Sequence, residues 1–282
     1  MALLTETYLD FVSLLPTLVD ALIPISTISI LTWLLSLYMD RVSIASYSAP
    51  LMILAAVIAF VQTTGVANPV NIVLVLMVGI WALRLSLFLI VRDRNQPEDR
   101  RYRMLRRRFA PHFALKSSYL VFLPMAIGTW LLSSLFALVL TASADNLSVV
   151  HWTYFHTVAV ALWSGGLLIE VIADKQLYDF NRQVVRQQYT LDKGLWRLSR
   201  HPNYFGECVI WWSWFVFAIP SGSALILLAP MLVTWLLLRG TGIRLMEQEI
   251  SQRRPDYAAY QNSTSAFLPT PPAEVVNRGL YD

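Results

Sequence analysis

The sequence is poor in charge and almost without cysteine. Asp, Glu, Lys and Arg make up 14% of its 282 residues, where a soluble domain carries about 25%. That depletion argues against an ordinary water-soluble globule. A single cysteine, Cys208, excludes an internal disulfide and any cysteine-rich metal site. It falls in an apolar run, where a thiol packs as a small hydrophobe. There is no G-x-G-x-x-G ahead of a helix, no P-loop, no H-E-x-x-H and no nucleophile elbow. His112, His151, His156 and His201 are scattered without ligand spacing, so no metal is expected. Internal repeats and low-complexity tracts are lacking too.

What is present is apolar length. Hydrophobic residues make up 56% of the chain, with 10 Trp and a mean hydropathy of +0.52. Predominantly apolar runs occur at about 26–39, 45–62, 69–91, 118–141, 151–173, 205–219 and 222–238, and a spanning helix needs roughly 20 apolar residues. The expected fold is all-α, an integral membrane bundle of seven transmembrane helices. An eighth candidate, 8–24, contains Pro16, Asp20 and Pro24. A carboxylate in mid-span is costly, so that stretch is expected to lie in the interface or insert partly. Met1–Asp10 lacks the basic region of a signal peptide. Three regions are therefore expected: an N-terminal helix over 1–24, a transmembrane domain over 25–240, and a cytoplasmic amphipathic helix and tail over 241–282.

The net charge of +4 and pI near 9.3 do not call for nucleic acid. Arg92–Lys116, Lys175–Arg200 and the tail hold the basic residues, whereas Thr63–Asn68, Ala142–Val150 and Pro220–Gly222 hold no Lys or Arg. By the positive-inside rule the basic loops and the C-terminus face the cytoplasm.

Three polar patches are expected on that side. The first is Arg84 with Arg92 and Arg94, then Glu98-Asp99-Arg100-Arg101-Tyr102, a source of guanidinium clamps for phosphate or for a buried carboxylate. The second is Glu170, Asp174 and Tyr178, on one helical face at i, i+4 and i+8. Their carboxylates suit ribose hydroxyls or amide hydrogens. The third is Arg197, Arg200, His201, Asn203, Tyr204, Glu207 and Trp211. Pro202 fits the first turn of a helix, and the amides exposed there suit a diphosphate.

The run Gly194-Leu-Trp-Arg-Leu-Ser-Arg-His-Pro-Asn-Tyr-Phe-Gly-Glu207, preceded by Glu170-Val-Ile-Ala-Asp174-Lys-Gln176, resembles the steroid 5α-reductase C-terminal domain family, nearest its bacterial branch. Trp81-Ala-Leu-Arg84, Asp99-Arg-Arg-Tyr102, Thr241-Gly-Ile-Arg-Leu-Met-Glu247, Arg254-Pro-Asp-Tyr257-Ala-Ala-Tyr260 and Thr264-Ser-Ala-Phe-Leu-Pro269 are similar as well. The resemblance implies a seven-span bundle in a bacterial inner membrane, binding NADPH from the cytoplasm. It also implies hydride transfer to the C=C bond of a conjugated enone in a steroid-like or isoprenoid lipid. The partners implied are a hydrophobic small-molecule substrate and membrane lipids, with no obligate protein partner. Asp174, Asn203, Glu207 and Trp211 match cofactor contacts by position, and Arg84, Arg197 and Arg200 join them.

On the substrate side the chain departs from the family. Trp81 stands where the steroid reductases have tyrosine, Ser46 and Ala49 where the bacterial branch has Asp and Trp, and Pro124 where it has Gln. Charge building on a ketone oxygen needs a hydrogen donor, for which Tyr47, near the missing acid, is nominated. Two alternatives stay open. One is a membrane methyltransferase of the isoprenylcysteine carboxyl type, which shares an Arg-His-Pro-x-Tyr-x-Gly-like element and uses S-adenosylmethionine. The other is a non-catalytic lipid-binding protein with a vestigial cofactor site.

Overall fold

The structure, a computed structural model, describes residues 15–65, 68–94, 96–145, 151–183, 189–222, 224–240, 243–251, 254 and 256–272. All regular structure among them is helical, with no strand. They fall into two compact units, one within 1–153 and 218–226, the other within 154–217 and 227–282.

In the first unit α1 spans Leu22–Met39, α2 Ala45–Thr64, α3 Pro69–Asp93 and α4 Arg100–Arg108. Then α5, Phe113–Ser117, passes through a π turn at Ser118–Phe122 into α6, Leu123–Asp145. Local chemistry sets these boundaries. Asn68 caps α3 by accepting the Asn71 N–H at 2.8 Å, and Pro69 occupies the first turn, where its missing N–H costs nothing. Asp99 caps α4 in the same way, accepting the Arg101 N–H at 2.8 Å. Helix α1 ends at Asp40, in the left-handed region, whose N–H returns to the Ser36 carbonyl.

Helix α2 packs against α1, α3 and α6, burying Met52, Ile53, Ala56, Val57 and Phe60. Facing outward, Ile72, Leu76, Ile80, Leu83, Leu87 and Ile90 of α3 form one stripe, each 43–60% exposed. In water such a stripe would drive aggregation; hydrocarbon solvates it.

The second unit holds α7, Tyr154–Asn181; α8, Pro202–Ala218; α9, Leu228–Trp235; α10, Ile243–Ser251; and α11, Tyr257–Ser263. Helices α7 and α8 meet at two glycines. A Cβ on Gly206 would lie 2.7 Å from the Gly166 carbonyl oxygen and 2.9 Å from the Glu170 nitrogen, and one on Gly166 would lie 2.9 Å from the Gly206 oxygen. Only glycine permits that approach, the small-residue contact by which apolar helices associate. Thr234 of α9 secures the far side of α8, accepting from the Trp212 indole at 3.1 Å and from Cys208 Sγ at 3.8 Å. Cys208 is buried, as a packing thiol should be.

Among the described residues five helices are long and apolar enough to cross a membrane: Leu15–Met39, Val42–Thr64, Pro69–Asp93, Phe113–Thr141 and Tyr154–Asn181. They contain the first four expected spans and all but the first three residues of the fifth, 151–173. The runs at 205–219 and 222–238 fall on shorter helices, the 17-residue α8 and the apolar Leu225–Gly240. Residues 1–14 of the expected N-terminal helix lie outside the described residues. From Leu15 the chain is helical up to a break at Ala21, and Pro24 sits in the first turn of α1. The expected region boundary at 24/25 therefore lies inside a helix. The expected region 241–282 contains α10 and α11, and its residues beyond 272 lie outside the described residues.

Gly165, one position from the crossing, has open space where a Cβ would stand, with nothing within 4 Å. Gly165→Ala should leave the thermal midpoint in detergent unchanged or slightly raised, since alanine favours a helix by about 1 kcal/mol. Gly206→Ala should lower stability by about 1–3 kcal/mol through overpacking. Equal midpoints for the two variants would contradict the crossing.

Candidate functional site

The close crossing at Gly166 and Gly206 decides what lies beside it. One face of α7 carries Trp163, Gly166, Glu170 and Asp174, all buried. Its other side, with Leu162, Leu168, Val171 and Ile172, is exposed. The Asn203 side-chain amide donates to Asp174 Oδ1 at 3.2 Å, joining the second and third patches. One turn further along α8, Glu207 accepts the Trp211 indole N–H at 2.8 Å. Trp211 stacks edge-on against Trp214, with centroids 4.9 Å apart, and both are fully buried. Burying carboxylates such as Glu170 and Asp174 is costly unless donors surround them.

The turn leading into α8 is braced from α7. The Leu195 N–H donates to Gln176 Oε1 at 3.1 Å, and the Trp196 indole to the Ala173 carbonyl at 3.1 Å. Gly194 has φ +62° and is crowded by the Gln176 amide, so no side chain is tolerated there. Arg197 is exposed. Tyr178 is half-buried beneath the Arg182 guanidinium, 5.6 Å away.

Arg200 and His201, expected at a diphosphate, instead direct their hydrogens into the protein. Glu247 of α10 accepts Arg200 Nε at 2.7 Å and His201 Nε2 at 3.0 Å on Oε1. Its Oε2 accepts Arg200 Nη2 and Gln261 Nε2, each at 3.1 Å. Since an ionised carboxylate only accepts, His201 carries its proton on Nε2. The His201 ring stacks on Tyr204, centroids 5.6 Å apart, and the Tyr204 hydroxyl reaches Met246 Sδ at 3.7 Å. Burial raises the Glu247 pKa, but hydrogen bonds from His201 and Arg200, with their charges, outweigh it and bring the group down to about 2. Burial and then the Glu247 charge push the Tyr257 hydroxyl well above its ordinary value.

In the first unit the guanidinium of half-buried Arg84 lies 5.4 Å from the Phe88 ring centroid, and that of Arg92 5.9 Å. Arg92 pairs with Asp93 at 2.7 Å, and Arg101 with Asp99 at 3.1 Å. Burial works against ionised Asp99, but Arg101 holds its carboxyl below the usual range. Burial raises the Tyr102 hydroxyl, which lies 3.1 Å from Ser46 Oγ. Tyr47, the nominated donor, gives its hydroxyl hydrogen to Asp93 at 3.2 Å. Of the departures, Trp81 is core and Pro124 is exposed.

The model of the family described as "Protein of unknown function (DUF1295)" matches residues 32–264. The chain belongs to the DUF1295 family. This family is related to steroid 5α-reductase-like membrane proteins. An "Uncharacterized protein C594.04c" of Schizosaccharomyces pombe is 32% identical over 40% of this chain and 38% of its own length. The chain thus spans well under half of that curated relative. No solved structure matches.

Sequence reasoning missed Gln261 and Asp93 in this DUF1295 protein, and it quoted Glu247 and Tyr257 only within motifs, without a role; Glu98, named in the first patch, serves α4 and the turn leading into α2. Glu98 accepts the Val42 N–H at 2.7 Å and pairs with Arg106 at 3.3 Å. The signal for Glu247 was its place in the Thr241–Glu247 motif, which does not name the partner.

The lowered Glu247 pKa has a sign. Its contribution to stability is fully present above the unfolded value of 4.5 and is lost as pH falls through about 2. The groups facing it are Arg200, His201 and Tyr257. The difference in thermal midpoint between wild type and Glu247→Gln should shrink between about pH 4.5 and about pH 2. A difference unchanged across that window would refute the assignment.

Proposed function

We propose that this DUF1295 protein is a membrane-embedded reductase that uses NADPH to reduce the C=C bond of a conjugated enone in a steroid-like or isoprenoid lipid. The observation that carries the reading is the 3.2 Å contact between Asn203 and Asp174. It brings together, across a glycine crossing, the residues at which the chain resembles the family's cofactor contacts. The relation of the family to steroid 5α-reductase-like proteins supports it.

The donor set fits the cofactor. Buried Glu170 and Asp174 offer acceptors for ribose hydroxyls, and Asn203 offers both a donor and an acceptor to a carboxamide. Arg197, exposed six residues before Asn203, suits a phosphate. NADPH supplies a hydride when bound. Asp174 and Asn203 orient it, Glu207 is held in place by the Trp211 indole, and Trp211, Trp214 and Phe217 exclude water. Within the same unit, Tyr178 and Tyr204 remain proposed contacts. Tyr47, already donating to Asp93, is the least suited of the nominated residues to act as proton donor. The proposed setting is seven spans, with α8 and Leu225–Gly240 completing the five longer ones, in a bacterial inner membrane with the cofactor side cytoplasmic.

Thermal stabilisation of the purified protein tests the reading. NADPH at 100 times its dissociation constant should add about 2.7 kcal/mol. Asn203→Ala should remove the effect, since a hydrogen bond to a charged group contributes about 1.5–3 kcal/mol. Stabilisation by S-adenosylmethionine with none by NADPH would replace the reductase with a methyltransferase. NADPH that binds but is not oxidised across a broad enone panel would favour the non-catalytic reading.

A further inference from the structure

Glu247 has no part in the function proposed above, yet its carboxylate is densely coordinated. Four side-chain donors converge on its two oxygens. Glu247, Arg200 and His201 have side chains only 13%, 12% and 3% exposed. An ion pair this desolvated persists only if its geometry is well satisfied, and it fails badly when one partner is removed.

Arg200 also carries a second load. Its Nη1 donates to the carbonyls of Gln261 at 2.7 Å and Thr264 at 3.0 Å. Its own N–H donates to the Ser265 carbonyl at 2.8 Å, Ser199 Oγ to the Phe267 carbonyl at 2.8 Å, and the Thr270 N–H to the Leu198 carbonyl at 2.9 Å. The Tyr260 hydroxyl donates to the Trp196 carbonyl. Residues 260–270 therefore lie as a strap across 196–200. On the other side, the His201 carbonyl accepts the Phe205 N–H at 3.1 Å, the first hydrogen bond of α8. Asn203 lies two residues beyond His201 and Glu207 one turn further.

We propose that Glu247 is a positioning residue for this site: from α10 it grips Arg200 and His201, fixes the start of α8 that presents Asn203 to Asp174, and through Arg200 fastens the 260–270 strap. The strap does not depend on the cofactor reading; the effect on NADPH does. The carboxylate acts through its neighbours and touches neither cofactor nor substrate.

Hydrogen exchange on the full chain in detergent, combined with NADPH titration, tests this. Glu247→Gln should speed exchange about tenfold or more in peptides covering 196–203 and 264–272, where the Arg200 and Thr270 amides are bonded, and leave 159–174 unchanged. NADPH affinity should fall about tenfold. Glu247→Asp should recover part of both effects, which a space-filling role would not give. Asn203→Ala should lose NADPH while keeping both peptides protected. Unchanged exchange in Glu247→Gln overturns the proposal, as does a released strap with undiminished NADPH affinity. Should Glu247→Gln not fold, Glu247→Asp carries the same comparison, with a smaller acceleration expected and wild-type exchange overturning the proposal. If wild type shows no NADPH affinity, the cofactor reading falls and the exchange result alone decides the role of Glu247.

Discussion

The backbones of α7 and α8 touch at Gly166 and Gly206, and the polar architecture of the second unit depends on that contact. With any larger residue there, the helices would separate and the Asp174–Asn203 hydrogen bond would not close. Apolar surroundings make such a bond worth keeping, because an unsatisfied group has no water to turn to. The glycines thus act at a distance: they contribute no chemistry, but they set the spacing at which carboxylate and amide meet.

A chain with few charges has concentrated them into matched sets. In the first unit Arg41 donates to the carbonyls of Asp93 and Gln96 at 2.8 Å each, and Arg106 bridges Asp40 and Glu98. In the second, Arg200 and Glu247 form the corresponding knot. These clusters close helix ends and connecting segments, while the long faces of α3 and α7 are left to apolar side chains. The division follows from two-phase surroundings, in which charge is stable only where it finds a partner or water.

Legibility in the sequence tracked the range of each interaction. The five long helices could be read from apolar length alone, and the start of α8 from Pro202. Glu170, Asp174 and Tyr178 share a face because helical spacing is a local rule. That Asp174 and Asn203 belong together was suggested only by the family resemblance. The role of Glu247 was illegible because its charged and imidazole partners, Arg200 and His201, lie 47 and 46 residues away. Arg200, beside a helix start, resembles an anion ligand locally; nothing nearby in sequence reveals that its hydrogens are spent on α10 and on the segment after α11. Tyr47 was nominated for the acid missing near it, and the acid it meets, Asp93, lies on another helix.

The strap also imposes an order on biosynthesis. When the ribosome has made Arg200, the carbonyls of Gln261, Thr264 and Ser265 that will receive its hydrogens are still some sixty codons away. During that interval the guanidinium must be held by water, lipid phosphate or a chaperone, so the motif can reach its final shape only as a late step of translation.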